Sequence, residues 1–115
     1  MERLIDLAIT AHKEAGVLTL SGELKGEDAS RLEQWFHQLE LHETPQRMEL
    51  SELEIADGVA ATHMLNIVRF ILNRCGAATL IGSPQSLAHN LYRAGLLYEG
   101  CAITLIDMRE DEVYG

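Results

Sequence analysis

The sequence has little of what disordered, fibrous or membrane-spanning chains depend on. Glycine and proline together account for 11 of its 115 residues and aromatic residues for 5%, whereas 47% are apolar. This composition excludes a disordered or collagen-like chain, and the length suits one domain over residues 1–115. No apolar run approaches the ~20 residues of a membrane span, and the N-terminus shows no apolar leader segment. We therefore expect a cytoplasmic protein without membrane insertion.

Cysteine is also scarce, and local motifs of catalysis are missing. Only Cys75 and Cys101 occur, outside any zinc-ligand spacing, so we expect two buried thiols that pack as small apolar side chains. The sequence contains no glycine-rich nucleotide motif and no serine-hydrolase elbow, although a triad assembled in space would leave no such signature. The five histidines are scattered along the chain, so we expect them to be partly exposed residues with structural roles. The sequence therefore predicts no enzyme and no cofactor.

Positive charge is in short supply. Against 18 acidic residues the chain has 9 lysines and arginines, which gives a net charge of −9. This charge makes nucleic acid and anionic membrane surfaces poor partners. Residues 1–57 hold 13 of the acidic residues and 5 of the basic ones, which predicts a solvated acidic face. One acidic run lacks the spacing of a calcium-binding loop, so we expect a solvated rim and no metal. Its members are Glu49, Glu52, Glu54 and Asp57.

The pattern of apolar residues predicts five strands and three helices. Period-two alternation and short apolar runs are typical of strands, whereas apolar residues three and four apart are typical of helices. Strands are predicted at residues 5–12, 17–21, 48–51, 77–81 and 102–106, with a turn at 13–16, a strand end at Gly22, a loop at 41–46 and an acidic tail at 107–115. The helices are predicted to begin at Asp28, at Gly58 and at Ser83-Pro84, with Asp28 and Ser83 as cap residues, and to end near Leu39, at Gly76 and at Gly95.

The order of these elements indicates the fold. An N-terminal hairpin is followed by alternating helices and strands, and this alternation favours parallel strands with right-handed crossovers. The prediction is an α/β protein with a mixed five-stranded sheet and three to four helices. Trp35 and Phe36 both lie at helical spacing with Leu32, so at least one of them belongs to the core. If Trp35 is the exposed one, it marks a contact patch.

Four stretches resemble the STAS family, which includes bacterial anti-sigma-factor antagonists and the cytoplasmic domains of sulfate transporters. The segment 18–24 is similar to the family's second strand and its L-x-G-E-L-D turn, and 48–57 to its D-L-S-x-V-x-x-I-D strand and loop. The segment 78–84 resembles the fourth strand and 91–96 an L-x-x-x-G-L helix end. Their order and spacing cover residues 17 to 106. The resemblance implies the STAS fold and a non-catalytic interaction module.

The resemblance also implies where the functional centre lies. In the family, a D-S-S/T-G-L segment at the start of the second helix carries a hydroxyl that is phosphorylated by a partner kinase, which is also the anti-sigma factor. Here the segment reads Asp57-Gly58-Val59-Ala60-Ala61, and the family's aspartate after G-E-L is Lys25. Val59 has no hydroxyl, so we expect no phosphorylation. Thr62 is the nearest substitute acceptor, although a helical threonine commonly bonds its own turn.

Three functions fit these residues. The first is an anti-sigma-factor antagonist that binds a kinase-like anti-sigma factor without a phosphorylation switch. The second is an accessory STAS subunit that holds the ATPase of an ABC-type lipid transporter, and the third is a small-molecule-binding domain at the carboxyl ends of the strands. The oligomeric state is left open, a homo-oligomer included. The predicted partner-binding residues are Gly22, Lys25, Asp57, Gly58, Val59 and Thr62.

Overall fold

The computed structural model describes residues 10–106 and contains one mixed five-stranded sheet. The strands stand in the order β1-β2-β3-β4-β5; β1 is antiparallel to β2, and the other neighbours are parallel. This topology confirms the predicted α/β class, with three helices and one short 3₁₀ turn at Leu41–Glu43. In chain order the elements are β1 (Thr10–Glu14), β2 (Val17–Leu24), α1 (Gly26–His37), β3 (Arg47–Ile55), α2 (Gly58–Cys75), β4 (Ala78–Ile81), α3 (Gln85–Arg93) and β5 (Ile103–Ile106).

The three helices cover the same face of the sheet. Alternate strand residues belong to a single buried cluster that also holds the apolar residues of the helices. The strand residues between them, such as Thr19, Glu49 and Thr79, are only partly buried. Because successive side chains of a strand point to opposite faces, the buried strand residues all lie on one face of the sheet. The three helices pack against that face. The strand residues of the cluster include Leu18, Leu20, Met48, Leu50, Ala78, Leu80 and Ile103.

The hairpin is tighter than the sequence predicts. The turn was expected at 13–16, but β1 continues to Glu14 and only Ala15 and Gly16 form the turn. Both have positive φ, 53° and 79°, as a two-residue type I′ loop requires. The predicted end of the second strand at Gly22 is also wrong, because pairing with β3 carries β2 on to Leu24. Residues 5–9 of the predicted first strand and the tail at 107–115 lie outside the described residues.

Other boundaries differ where tertiary contacts decide them. The predicted strand at 48–51 is longer, because parallel pairing with β2 extends β3 to Ile55. Asp28 is not a cap: α1 begins at Gly26, so Asp28 lies in its first turn. The hydroxyl of Ser83 donates to the carbonyl of Pro84, and it is Pro84 that occupies the cap position of α3. The predicted helix ends at Gly76 and Gly95 are confirmed, each with positive φ.

Several side chains are less buried than predicted. Cys75 and Cys101 are free thiols that pack against the core while remaining partly exposed, so the expectation of two buried thiols is wrong. Phe36 is fully buried, and Trp35 is partly buried with its ring edge-on to Phe36 at 5.1 Å between centroids. Trp35 is therefore not the exposed aromatic residue that a contact patch would require. Across residues 10–106, every helix is too short or too polar to cross a membrane.

Candidate functional site

Asp57 joins the starts of two helices. Strand β3 ends at Ile55, and Asp57 follows in an extended conformation as the cap of α2. Its Oδ1 accepts a hydrogen bond of 2.7 Å from the amide of Ala60, and its Oδ2 accepts one of 3.2 Å from the amide of Gly26. The first bond satisfies a free amide of α2, and the second fixes the first residue of α1. One carboxylate thus holds both helix starts together.

These bonds also set the charge state of Asp57. The amide of Ala60, assisted by that of Gly26, holds the pKa of the Asp57 carboxyl below its ordinary value of 3.8. Amide donors favour the ionised form because they bond a carboxylate more strongly than a carboxylic acid. Asp57 is therefore a carboxylate at neutral pH, at the surface of the protein and at the positive end of α2.

Val59 presents an apolar side chain to solvent in the first turn of α2. Its side chain is 58% exposed, whereas the next two residues, Ala60 and Ala61, are buried. Gly26 lies directly beside it: a Cβ on Gly26 would come within 2.9 Å of Val59 Cγ1. The absence of a side chain at Gly26 therefore allows α1 to begin next to Val59. The sequence pattern did not indicate this contact between Gly26 and Val59, because it joins two distant segments.

The remaining predicted site residues divide by position. Lys25 is exposed at the cap of α1 and makes no side-chain capping bond. Gly22 is exposed within β2, opposite Leu53, with φ of 110°. Thr62 is exposed, and its hydroxyl donates to the carbonyl of Gly58 at 3.0 Å, as a helical threonine commonly does.

A broad cleft opens between α1 and the start of α2, at the carboxyl ends of the parallel strands β2 and β3. We call it the α1 cleft; its volume is about 600 Å³. It brings three of the predicted residues together and leaves out Gly22, Gly58 and Thr62. The other lining residues were not predicted, although the carboxyl ends of neighbouring parallel strands are where such clefts form. The lining residues are Lys25, Gly26, Glu27, Asp28, Ser30, Asp57, Val59 and His63.

His63 anchors α2 to α1 beside this cleft. Its Nδ1 lies 2.7 Å from Glu33 Oε1, and Asn66 donates to the same oxygen at 3.4 Å. Burial alone would raise the pKa of the Glu33 carboxyl, but the hydrogen bonds from His63 and Asn66 outweigh it, so this pKa lies below 4.5. His37 approaches the other oxygen of Glu33 at 3.5 Å. An ionised Glu33 therefore links the two helices that form the cleft.

A second, smaller groove lies on the other side of the α2 start, between α2 and α3. We call it the α3 groove, with a volume of about 290 Å³. Asp57 lines both depressions, Val59 lines only the first and Gly58 only the second, so residues 57–59 form a ridge between them. Within residues 10–106 no three histidine, cysteine or carboxylate side chains converge as metal ligands would. The groove is lined by Ile55, Asp57, Gly58, Ala61, Ser86, His89, Asn90 and Arg93.

Comparison with known proteins finds relatives by structure and none by sequence. No family model matches the chain, and no curated protein matches it. A crystal structure of TM1081, a proposed anti-sigma factor antagonist from Thermotoga maritima, superposes with a TM-score of 0.56 and 19% identity over 92% of each chain. An NMR structure of TM1081 gives a TM-score of 0.61 and 17% identity over 99% of this chain and 92% of that one. The chain therefore has the STAS-like fold of a proposed anti-sigma factor antagonist.

Proposed function

We propose that this chain is a non-catalytic protein-interaction module of the anti-sigma-factor antagonist type, which docks its partner at the start of α2. Support comes from the fold shared with TM1081 and from the four sequence stretches that resemble the STAS family. The observation that carries the proposal is Val59, an aliphatic side chain that is 58% exposed on the ridge beside Asp57. An exposed apolar group next to an ordered carboxylate is suited to a protein contact.

In this proposal the contact works without phosphorylation. Val59 occupies the position of the family's phospho-acceptor and has no hydroxyl. The nearest hydroxyl, that of Thr62, is one helical turn further on and donates to the carbonyl of Gly58. The partner would be a kinase-like anti-sigma factor in a bacterial cytoplasm, and the outcome of binding would be a change in transcription. Binding would be constitutive, because no charge is added or removed at the contact.

The first test is for phosphorylation. The purified chain is incubated with ATP and a kinase-like anti-sigma factor from the same organism, and its mass is then measured. We expect no added phosphate. A phosphorylated residue anywhere within 57–62 would contradict the proposal.

The second test is for the contact itself. Val59→Asp introduces a charge into an apolar contact, and truncating or charging a central contact typically costs ~1–2 kcal/mol or more, so we expect affinity to fall by about tenfold. Calorimetry with the same anti-sigma factor measures this change, and Val59→Ile, which keeps an aliphatic side chain at the contact, is the matched control. Unchanged affinity of the aspartate variant would show that the interface lies elsewhere. Capture of an ABC-type ATPase in place of an anti-sigma factor would support the accessory-subunit function.

A second candidate function is small-molecule binding, which the α1 cleft favours. The cleft lies at the carboxyl ends of β2 and β3, where parallel sheets bind ligands, and its volume of about 600 Å³ is that of a ligand site. Its three carboxylates would select a cationic ligand. Thermal-shift screening with cationic metabolites tests this function, and Val59→Asp should then strengthen binding, the opposite of its effect on a protein partner.

A further inference from the structure

We infer that the docking segment of the partner carries both signs of charge: a basic end that lies over the α1 cleft, an aliphatic centre against Val59, and an acidic group over the α3 groove. This inference rests on the proposed function, because it describes the partner of the same site. It is drawn from the way in which the ridge at Asp57 separates an acidic depression from one that presents an exposed arginine.

The α1 cleft is acidic. Three carboxylates line it, those of Glu27, Asp28 and Asp57, against one ammonium group, that of Lys25. Glu27 and Asp28 belong to the first turn of α1, where negative charge also favours the helix. Neither forms a salt bridge with any residue between 10 and 106, and Glu27 is exposed. The exposed carboxylate of Glu27 can therefore meet lysine or arginine side chains of a partner.

The α3 groove differs in charge, because the guanidinium of Arg93 offsets the single carboxylate that lines it, that of Asp57. Arg93, in the last turn of α3, and His89, one turn before it, line this groove and are both exposed. Arg93 has no salt bridge within the described part of the chain. The Arg93 guanidinium can bind a carboxylate through two parallel hydrogen bonds. A partner segment that crosses the ridge therefore meets negative charge first and positive charge next, or the reverse.

The ridge supplies the apolar contact between these two charged surfaces. Val59 lines the α1 cleft, Gly58 lines the α3 groove, and Asp57 borders both. No Cβ of its own limits approach at Gly58, and a Cβ placed there would find open space within 4 Å. A chain can therefore come close to the backbone at the ridge. An extended peptide or one helix face satisfies all three contacts, whereas a small cation satisfies only the first.

The test uses short random peptides displayed on phage and selected on the wild-type chain. We expect the selected sequences to carry lysine or arginine on one side of an aliphatic residue and aspartate or glutamate on the other. The tightest peptide is then synthesised and its affinity is measured by fluorescence anisotropy against charge-reversed variants. Glu27→Lys and Arg93→Glu should each weaken binding by about tenfold at low salt, and less as salt rises.

Matched controls come from the opposite end of the sheet. Glu99 precedes β5 and Arg47 begins β3, so both lie toward the amino ends of the parallel strands. Both are exposed, and neither lines the α1 cleft or the α3 groove. Glu99→Lys and Arg47→Glu make the same changes in net charge and should leave the affinity unchanged. Reversing the basic residue of the peptide should restore its binding to Glu27→Lys.

Each outcome decides between the inference and the proposed function. If Val59→Asp abolishes peptide binding while Glu27→Lys and Arg93→Glu do not weaken it, the inference is overturned and the docking site stands. If the charge reversals weaken binding while Val59→Asp does not, the charge pattern stands and the proposed centre at Val59 is wrong. Equal losses for the control variants, or selection of no specific peptide, would overturn the inference.

Discussion

Helix α2 uses aliphatic side chains in two different ways along its length. In its first turn Val59 is 58% exposed, whereas from the second turn onward the core-facing residues have no exposed surface. The difference is one of helix face, because Ala60 in the same first turn has no exposed surface, whereas Val59 lies on the side of the helix that carries the exposed Thr62. The buried group consists of Met64, Ile67, Val68 and Ile71. Apolar residues of one helix thus divide between holding the fold and presenting a surface, and substitutions should separate the two.

The largest effect is expected in the buried part. Ile67→Ala removes three carbon atoms from a site with no exposed surface, so we expect the free energy of unfolding to fall by about 2–5 kcal/mol. Urea denaturation measures this change. The control is Val59→Ala, which should lie within about 0.5 kcal/mol of the wild type because its side chain is already largely hydrated. A similar loss in both variants would mean that Val59 supports the fold.

A smaller loss of stability is expected from substitution of Asp57, the cap residue of α2. Asp57→Ala removes the acceptor of the Ala60 and Gly26 amides, so stability at neutral pH should fall, by less than in Ile67→Ala. In the folded wild type the pKa of Asp57 is lowered, so the carboxylate stabilises the fold fully above the ordinary pKa of 3.8. This extra stability over Asp57→Ala is lost as the pH falls through the lowered pKa. Urea denaturation across this range should show the two stabilities converging. A constant difference down to the lowest pH would contradict the role of the carboxylate.

The smallest change in stability is expected beside the exposed valine. A methyl group at Gly26 would lie 2.9 Å from Val59 Cγ1 and 3.0 Å from its Cβ, so Gly26→Ala should force the valine side chain into another rotamer. Rotation about χ1 moves Cγ1 but leaves Cβ in place, so the start of α1 must also shift by a few tenths of an ångström. Because alanine favours a helix over glycine, we expect the net change in stability to stay below about 1 kcal/mol. Three-bond NMR couplings of Val59 report its rotamer. Gly58→Ala, where the added methyl meets nothing within 4 Å, should leave that rotamer unchanged.

The sequence predicted those parts of the fold that depend on neighbouring residues. The spacing of Met64, Val68 and Leu72 and the glycine at Gly76 suffice for α2, because a buried stripe and a left-handed end are local features. The alternation of helices and strands likewise indicated the parallel sheet. Lengths of strands were less well predicted, since β2 and β3 extend each other through pairing.

The candidate site was predicted only in part, because its defining contacts join distant segments. Asp57 was placed before α2 from the sequence, but its bond to Gly26 spans 31 residues. The Ser83-Pro84 pair shows the converse. It has the stronger local pattern of a helix cap, yet the Ser83 hydroxyl donates to the Pro84 carbonyl and caps no amide. Which side chain caps a helix depends on the loop that delivers it, and a single sequence does not determine that loop.

Under the proposed function, a valine at the docking position has a consequence for how the cell would control this protein. A side chain that accepts no covalent group gives the surface a single state, so the fraction of partner bound follows mass action alone. The concentrations of the two proteins then set the response, through synthesis and degradation. Such a module would behave as a stoichiometric buffer for its partner, with a threshold at equal amounts when binding is tight.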